Sequence, residues 1–318
     1  MKEKLRALLS GQKMPYVFPF LWLHGESHEK LLEYVNVMYD ANIRAVCLES
    51  RPHPDFGREG WWRDLDFLLA EFKKRDMKVW ILDDSHFPTG YANGALQDAD
   101  PKMCRQFLVR SIVDGDEIPP KAPEWKPGRY EQGMTPARLF DDDRILSVTK
   151  RPDGKTAVCY LTRNRGPHRN YMNMMDMRSC RVLLDTVYEP HYAHYASEFG
   201  KTILGFFSDE PELGNDHLYE YCKRLWEQDD LAWSAGVEET LRARWGTEFE
   251  QNLPLLWEEE GERAAKARFD YMDAVTRAVK ACFSDQIGDW CRAHGVEYIG
   301  HLIEDNNQHT RAGSSLGH

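Results

Sequence analysis

Five segments of the chain share one pattern, a largely continuous apolar run that breaks into polar residues at its end. They are "YVFPFLWL" (Tyr16–Leu23), "IRAVCLES" (Ile43–Ser50), "KVWILDDS" (Lys78–Ser85), "TILGFFSDEP" (Thr202–Pro211) and "VEYIGHLIED" (Val296–Asp305). Continuous rather than alternating apolar character predicts strands buried on both faces, as in a parallel sheet. Between them, Leu31-Leu32-Tyr34-Val35-Val37-Met38 and Leu65-Phe67-Leu68-Leu69-Phe72 repeat near the helical period. Each leads through a short polar link into the next strand, which makes a βα repeat. No Gly-x-Gly-x-x-Gly follows a strand, so a dinucleotide-binding sheet is disfavoured. A (β/α)-barrel or a doubly wound sheet fits this repeat, and the expected fold is α/β, a (β/α)8 TIM-barrel-type domain.

The interval between the third and fourth strands is long. Within it Ala137–Asn164 reads as a β-hairpin turning at Pro152-Asp153-Gly154, part of an insertion over 112–170. Met177–Phe199 resumes as a helix, and 213–294 reads as a helical elaboration. About five barrel strands are counted against the eight of a closed barrel, so residues 1–318 are expected to be a single, incomplete barrel domain cut from a longer protein.

Charge and cysteine usage narrow the partners. With 41 Lys and Arg against 52 Asp and Glu, the formal net charge is −11, which opposes nucleic acid and anionic membrane surfaces and suits a neutral substrate. No apolar run is long enough to cross a bilayer, and the N-terminus lacks a signal-peptide core; a cytoplasmic location is expected. Seven cysteines without a Cys-x-x-Cys pair argue against a disulfide framework and against a thiolate zinc site.

In a barrel the strand C-termini face one mouth, so residues at those ends converge. The ends carry His24 and Glu26; Glu49, Arg51 and His53; Asp83, Asp84 and His86; Asp209, Glu210 and Glu212; and His301, Glu304 and Asp305. Paired carboxylates beside histidines and aromatics (Trp22, Trp61, Trp62, Phe87) are the tools of glycosidic bond cleavage, in which one acid protonates the leaving oxygen and a second carboxylate serves as base or nucleophile. Each group also has a structural reading: Asp209-Glu210-Pro211 and Asp83-Asp84 as caps on backbone N–H groups, and the histidines as hydrogen-bonded scaffold. His191 and His194, at i and i+3, are assigned to a surface helix rather than a metal pair. Oxygen-rich strand ends suit Ca²⁺ or Mg²⁺ better than zinc, and Ca²⁺ is left open.

"FPFLWLHG", "LESRPHPDFG", "VWILDDSHFPTGYANG", "GFFSDEPE" and "GHLIEDNN" resemble, in order and spacing, the catalytic barrel of the α-L-rhamnosidase-type glycoside hydrolases (family 106). The resemblance implies Glu210 and Glu304 as catalytic residues, with a rhamnoside or related carbohydrate as substrate. His24, Glu49, Arg51, His53, Asp83, Asp84, His86, Asp209, His301 and Asp305 would line the sugar subsite. Where the family ends its third strand Asp-Glu before Trp-Pro-Ser-Gly, this chain has Asp83-Asp84 before Phe87-Pro88-Thr89-Gly90, which assigns Asp84 to substrate positioning. Two other classes remain as alternatives: a non-catalytic carbohydrate-binding or scaffold module, and a metal-dependent hydrolase of non-sugar substrates.

Overall fold

The computed structural model describes residues 2–12, 17–97, 99–122, 144–163, 171–213, 225–227 and 230–301. In chain order the elements are α1 (Lys2–Leu9), β1 (Phe20–Leu23), α2 (His28–Asp40), β2 (Ala45–Ser50), α3 (Glu59–Lys74), β3 (Lys78–Leu82), β4 (Gln106–Val113), β5 (Arg144–Lys150) and β6 (Thr156–Arg163). There follow α4 (Met177–Leu183), a π turn (Leu184–Tyr188), α5 (Glu189–Tyr195), β7 (Ile203–Ser208), β8 (Asp230–Trp233), α6 (Ala235–Trp245), α7 (Phe249–Asn252), α8 (Glu262–Val279), α9 (Gln286–Ala293) and β9 (Glu297–Gly300). The chain divides into two compact units, of which the first comprises residues 1–93, 183–209 and 287–301.

The first unit is built on a five-stranded parallel sheet in the order β1-β2-β3-β7-β9. All five segments singled out by their apolar runs enter it. Each strand is added beside its predecessor and on the same side, without the reversal of direction that marks a doubly wound sheet. Among the described residues the sheet remains open, with β1 and β9 at its edges. β2 is buried along its whole length, as a central parallel strand requires, whereas edge strand β1 alternates, burying Leu21 and Leu23 and exposing Phe20 and Trp22.

The two sheet faces have different cores. On one, the helices lay down an aromatic layer: Tyr188 stacks on Phe206 of β7 at 4.1 Å, and Trp290 of α9 meets both rings edge-on. The amphipathic stripe of α3 buries Trp61, Leu65, Leu68, Leu69 and Phe72. The opposite face carries Ala45, Cys47, Trp80, Leu82 and Phe207, with Phe18, Leu204 and Ile299 packed against them. His191, expected on a surface helix, is buried in the helix layer. Its Nδ1 donates to the Val187 carbonyl, its Nε2 accepts from Trp61 Nε1 at 3.0 Å, and burial pulls its pKa down to about 4. The i, i+3 pair misled because only one of its members faces outward: His194 is exposed and stacks on Trp62.

The described part of the second unit, 94–182 and 210–286, holds a four-stranded antiparallel sheet in the order β5-β6-β4-β8. The expected hairpin is its β5–β6 pair, turning through Pro152, Asp153 and Gly154, where Gly154 adopts a φ of +82° and Asp153 accepts from the Lys155 N–H. Two strands were not legible. β4 pairs with β6 along eight residues but carries Arg110 and Ser111 in its middle, and β8, only four residues long, interrupts the stretch read as helical. Ser234 caps α6 by accepting from the Val237 N–H.

Gly205 of β7 tests the parallel packing. A Cβ there would sit inside van der Waals contact of the Glu297 carbonyl and 2.8 Å from Trp80 Nε1, neither of which can yield without disturbing the sheet. Gly205→Ala is expected to destabilise the fold by about 1–3 kcal/mol in urea unfolding. Gly236→Ala, where the nearest atom is the Ser234 hydroxyl at 3.8 Å, serves as the tolerated control.

Candidate functional site at the strand ends of the first unit

The end of β3 shows why a strand should run into two aspartates. Asp83 is fully buried and takes three hydroxyl donors: Thr89 Oγ1 at 2.7 Å on one oxygen, and Tyr188 OH at 2.7 Å with Ser208 Oγ on the other. Tyr298 of β9 in turn donates to Ser208 Oγ at 3.0 Å. Thr89 also clasps the end of β7, accepting from the Asp209 N–H and donating its own N–H to the Asp209 carbonyl, both at 2.8 Å. One carboxyl group therefore ties together β3, its following loop, the end of β7, β9 and the helix layer. Desolvation pushes its pKa up to about 7, aided by the neighbouring Asp84 charge and opposed by the three hydroxyls.

Asp84 has a different task. Its two oxygens accept five backbone N–H groups, from Ser85 and Asn93 on Oδ1 and from Gly90, Tyr91 and Ala92 on Oδ2, all at 2.7–2.9 Å. Successive N–H groups converging on one oxygen form a backbone anion nest, filled here by the chain's own carboxylate. Ala92 and Asn93 hold φ of +50° and +51° to present theirs. The subsite roles given to Asp83 and Asp84 therefore need revision, because neither side chain reaches solvent and their hydrogen-bonding capacity is spent on the scaffold.

His53 is revised on the same ground. It is buried, its Nδ1 accepts from the Asp55 N–H, and its Nε2 donates to Asp64 Oδ2 at 3.0 Å. Burial would raise the Asp64 pKa, but hydrogen bonds from His53, His28 and Arg63 hold it below the ordinary value. This cluster pins the β2–α3 loop.

The remaining strand-end residues keep an aspect toward solvent or a charged partner. Glu49 is almost wholly buried and pairs with Arg51 Nη1 at 2.5 Å. Desolvation raises its pKa against the pull of Arg51, and the negative charge of Asp209 pushes it further. Asp209 Oδ1 lies 2.9 Å from His301 Nδ1, and His301 packs edge-on against Phe207. The structure thus brings Glu49, Arg51, Asp209 and His301 into one electrostatic neighbourhood. His24 is exposed and paired with Glu26, whose pKa is lowered because hydrogen bonds from His24 outweigh desolvation. His86, also exposed, approaches the Phe87 carbonyl at 3.0 Å and Tyr91.

Glu210 directly follows the Asp209 clasp, half-buried, with a φ of +42°, a left-handed conformation that a non-glycine side chain rarely adopts. Glu212 belongs to the second unit, where it pairs with Arg105. Glu304 and Asp305 lie outside the described residues. Calcium prefers a cage of six to eight oxygens. Asp83 and Asp84 are spent on the scaffold, whereas Asp209, Glu210 and His301 could each offer one ligand atom to a metal ion, all within 4.8 Å of one another. Sequence reasoning passed over Tyr188, Thr89, Ser208 and Tyr298. Ser208 and Thr89 stand inside recognised motifs, but nothing in the sequence ties Tyr188, 105 residues from Asp83, to that carboxyl.

The raised pKa of Asp83 fixes a sign. The folded chain binds this proton more tightly than the unfolded chain, so the associated stabilisation is complete below the ordinary carboxyl value of 3.8 and is lost as pH rises through about 7. At its limit this is worth about 4 kcal/mol. Urea midpoints of the wild type and Asp83→Asn at pH 5 and pH 8 should show the wild-type advantage shrinking at the higher pH; a pH-independent difference would contradict the assignment.

No protein-family model matches the chain, and no curated protein matches it. Among solved structures, the rhamnosidase from Novosphingobium sp. PP1Y superposes with a TM-score of 0.54 at 10% sequence identity, over 92% of this chain and 46% of that one. At that identity the likeness is one of fold, a mixed α/β arrangement with a parallel sheet, and this chain spans just under half of its neighbour's length.

Proposed function

We propose that this chain is part of a glycoside hydrolase acting on a rhamnoside or a related neutral sugar, and that its five parallel strands are consecutive staves of a (β/α)8-type barrel. What carries the reading is the order β1-β2-β3-β7-β9, which winds in one direction and brings carboxylates to successive strand C-termini, where barrel enzymes keep their chemistry. The fold likeness to a rhamnosidase supports it, as does the motif resemblance in the sequence.

In this mechanism Glu210 is the proton donor to the leaving oxygen and Glu304 is its partner, the base or nucleophile. The strained backbone at Glu210 fits a functional position, since such conformations persist only where surrounding structure enforces them. The Asp209 clasp supplies that enforcement from the preceding residue, through its paired hydrogen bonds to Thr89. Asp209 and His301 would hold substrate hydroxyls at the rim, with His24 and His86 outside them. Ca²⁺ has no step in this scheme.

A non-catalytic sugar-binding module is the second reading. It is favoured by the commitment of Asp83 and Asp84 to the scaffold, which leaves fewer carboxylates for chemistry.

Glu210→Gln keeps the shape and removes the titratable proton. Turnover of an aryl α-L-rhamnoside by the complete gene product should then fall by about 10²-fold or more. Near-native turnover in the variant would remove Glu210 from the mechanism, and saccharide binding without turnover by the wild type would favour the module.

A further inference from the structure

At the end of β2 a cation is held in an unusual setting. Arg51 Nη1 donates to the buried carboxylate of Glu49, and among the described residues this is the guanidinium's only hydrogen bond. Two aromatic rings flank it, Trp22 of β1 with its centroid at 4.8 Å and Phe87 of the β3 loop at 5.2 Å. A guanidinium carries five N–H donors in a rigid fork, so most of this one's donors remain available while its orientation is fixed by one anchor and two walls. Arg51 is one-third exposed and Trp22 half exposed, so both can meet a ligand.

We propose that Arg51, positioned by Glu49 and walled by Trp22 and Phe87, is a recognition subsite for an uncharged sugar ring. Adjacent ring hydroxyls accept from the guanidinium fork, and the C–H face of the ring rests on Trp22. Two observations select a neutral ligand over a uronate. The Arg51 charge is already balanced by Glu49, and the Asp209 carboxylate adds a negative field strong enough to act on Glu49 itself. A third carboxylate entering that field would be repelled by both and would compete with Glu49 for the same fork. The assignment rests on the glycosidase reading and adds to it the group that discriminates neutral from acidic sugars. Glu49 is a positioning residue and acts through Arg51.

The test is calorimetric titration of the full chain with methyl α-L-rhamnoside, methyl α-D-mannoside and methyl α-D-galactoside, each repeated with methyl α-D-galacturonoside as the acidic probe. At least one neutral glycoside should bind, and the uronide should bind more weakly. Arg51→Lys keeps the charge and loses the planar fork, so it should weaken the neutral sugar about tenfold or more. Glu49→Gln should weaken it as well, and the double variant should bind no worse than Arg51→Lys alone, a coupling that a merely structural role for Glu49 would not produce. Variants are compared only where their melting temperatures match the wild type; Trp22→Phe, which keeps an aromatic wall of smaller area, provides a further probe and should also weaken the sugar.

Unchanged affinity in Arg51→Lys, tighter binding of the uronide, or no binding of any neutral glycoside would overturn the proposal. Turnover of an aryl glycoside that persists alongside one of those outcomes would remove this subsite and leave the glycosidase reading standing.

Discussion

The first unit depends on one buried carboxyl group. Asp83 sits where β3 leaves the core, and its two oxygens gather hydroxyls from the β3 loop, from β7 and from the turn between α4 and α5. A carboxyl in such a place is costly unless it is protonated or saturated with donors, and here three hydroxyls donate to it while burial raises its pKa to about 7. Because Thr89 bonds to Asp83 and also clasps Asp209 through both of that residue's backbone groups, the position of the β7 end is set by the β3 end. Asp209 inherits its placement from that link. His301 inherits it too, since its N–H donates to the Ser208 carbonyl.

A division of labour among acidic groups follows. Asp83 and Asp84 build the rim, the first by joining strands and the second by folding the loop around itself. Glu49 and Asp209 stand on that rim, and Glu210 is the next residue of the chain. Such an arrangement resolves a problem common to sites rich in carboxylates, which is that like charges placed close together repel and need rigid surroundings to stay together. Five N–H donors on Asp84 and three hydroxyls on Asp83 supply the rigidity, while Arg51 and His301 each accompany one of the outer carboxylates.

The parallel sheet was legible in the sequence because a strand buried on both faces writes a continuous apolar run, and "AVCLES" or "VWIL" is too short for a typical buried helix. The hairpin was legible because Pro152-Asp153-Gly154 announces its turn. β4 and β8 were not, since a half-exposed strand interrupted by Arg110 and a four-residue strand carry too little periodicity to be told from loop or helix. At the site, the sequence marked the strand ends as special but could not separate anchors from rim residues. Asp84 and Glu210 look alike as strand-end acids; only the loop that curls back onto Asp84 reveals that its oxygens are spent. His53 was indistinguishable from His24 until Asp64, eleven residues downstream on α3, was seen to hold it.

On the proposed reading, a sugar binds at the C-terminal edge of the parallel sheet, which Asp83 organises. The second unit offers a rival location, a polar groove of about 650 Å³ lined by Arg244, Trp245, Glu248, Arg263, Lys266 and Asp270. A crystal structure with an unhydrolysed neutral glycoside analogue decides between them most directly. The ring should lie at the ends of β1, β2 and β7, beside Trp22, Arg51, Asp209 and His301. Density for the sugar in the groove of the second unit, with the strand ends empty at saturating ligand, would contradict the account.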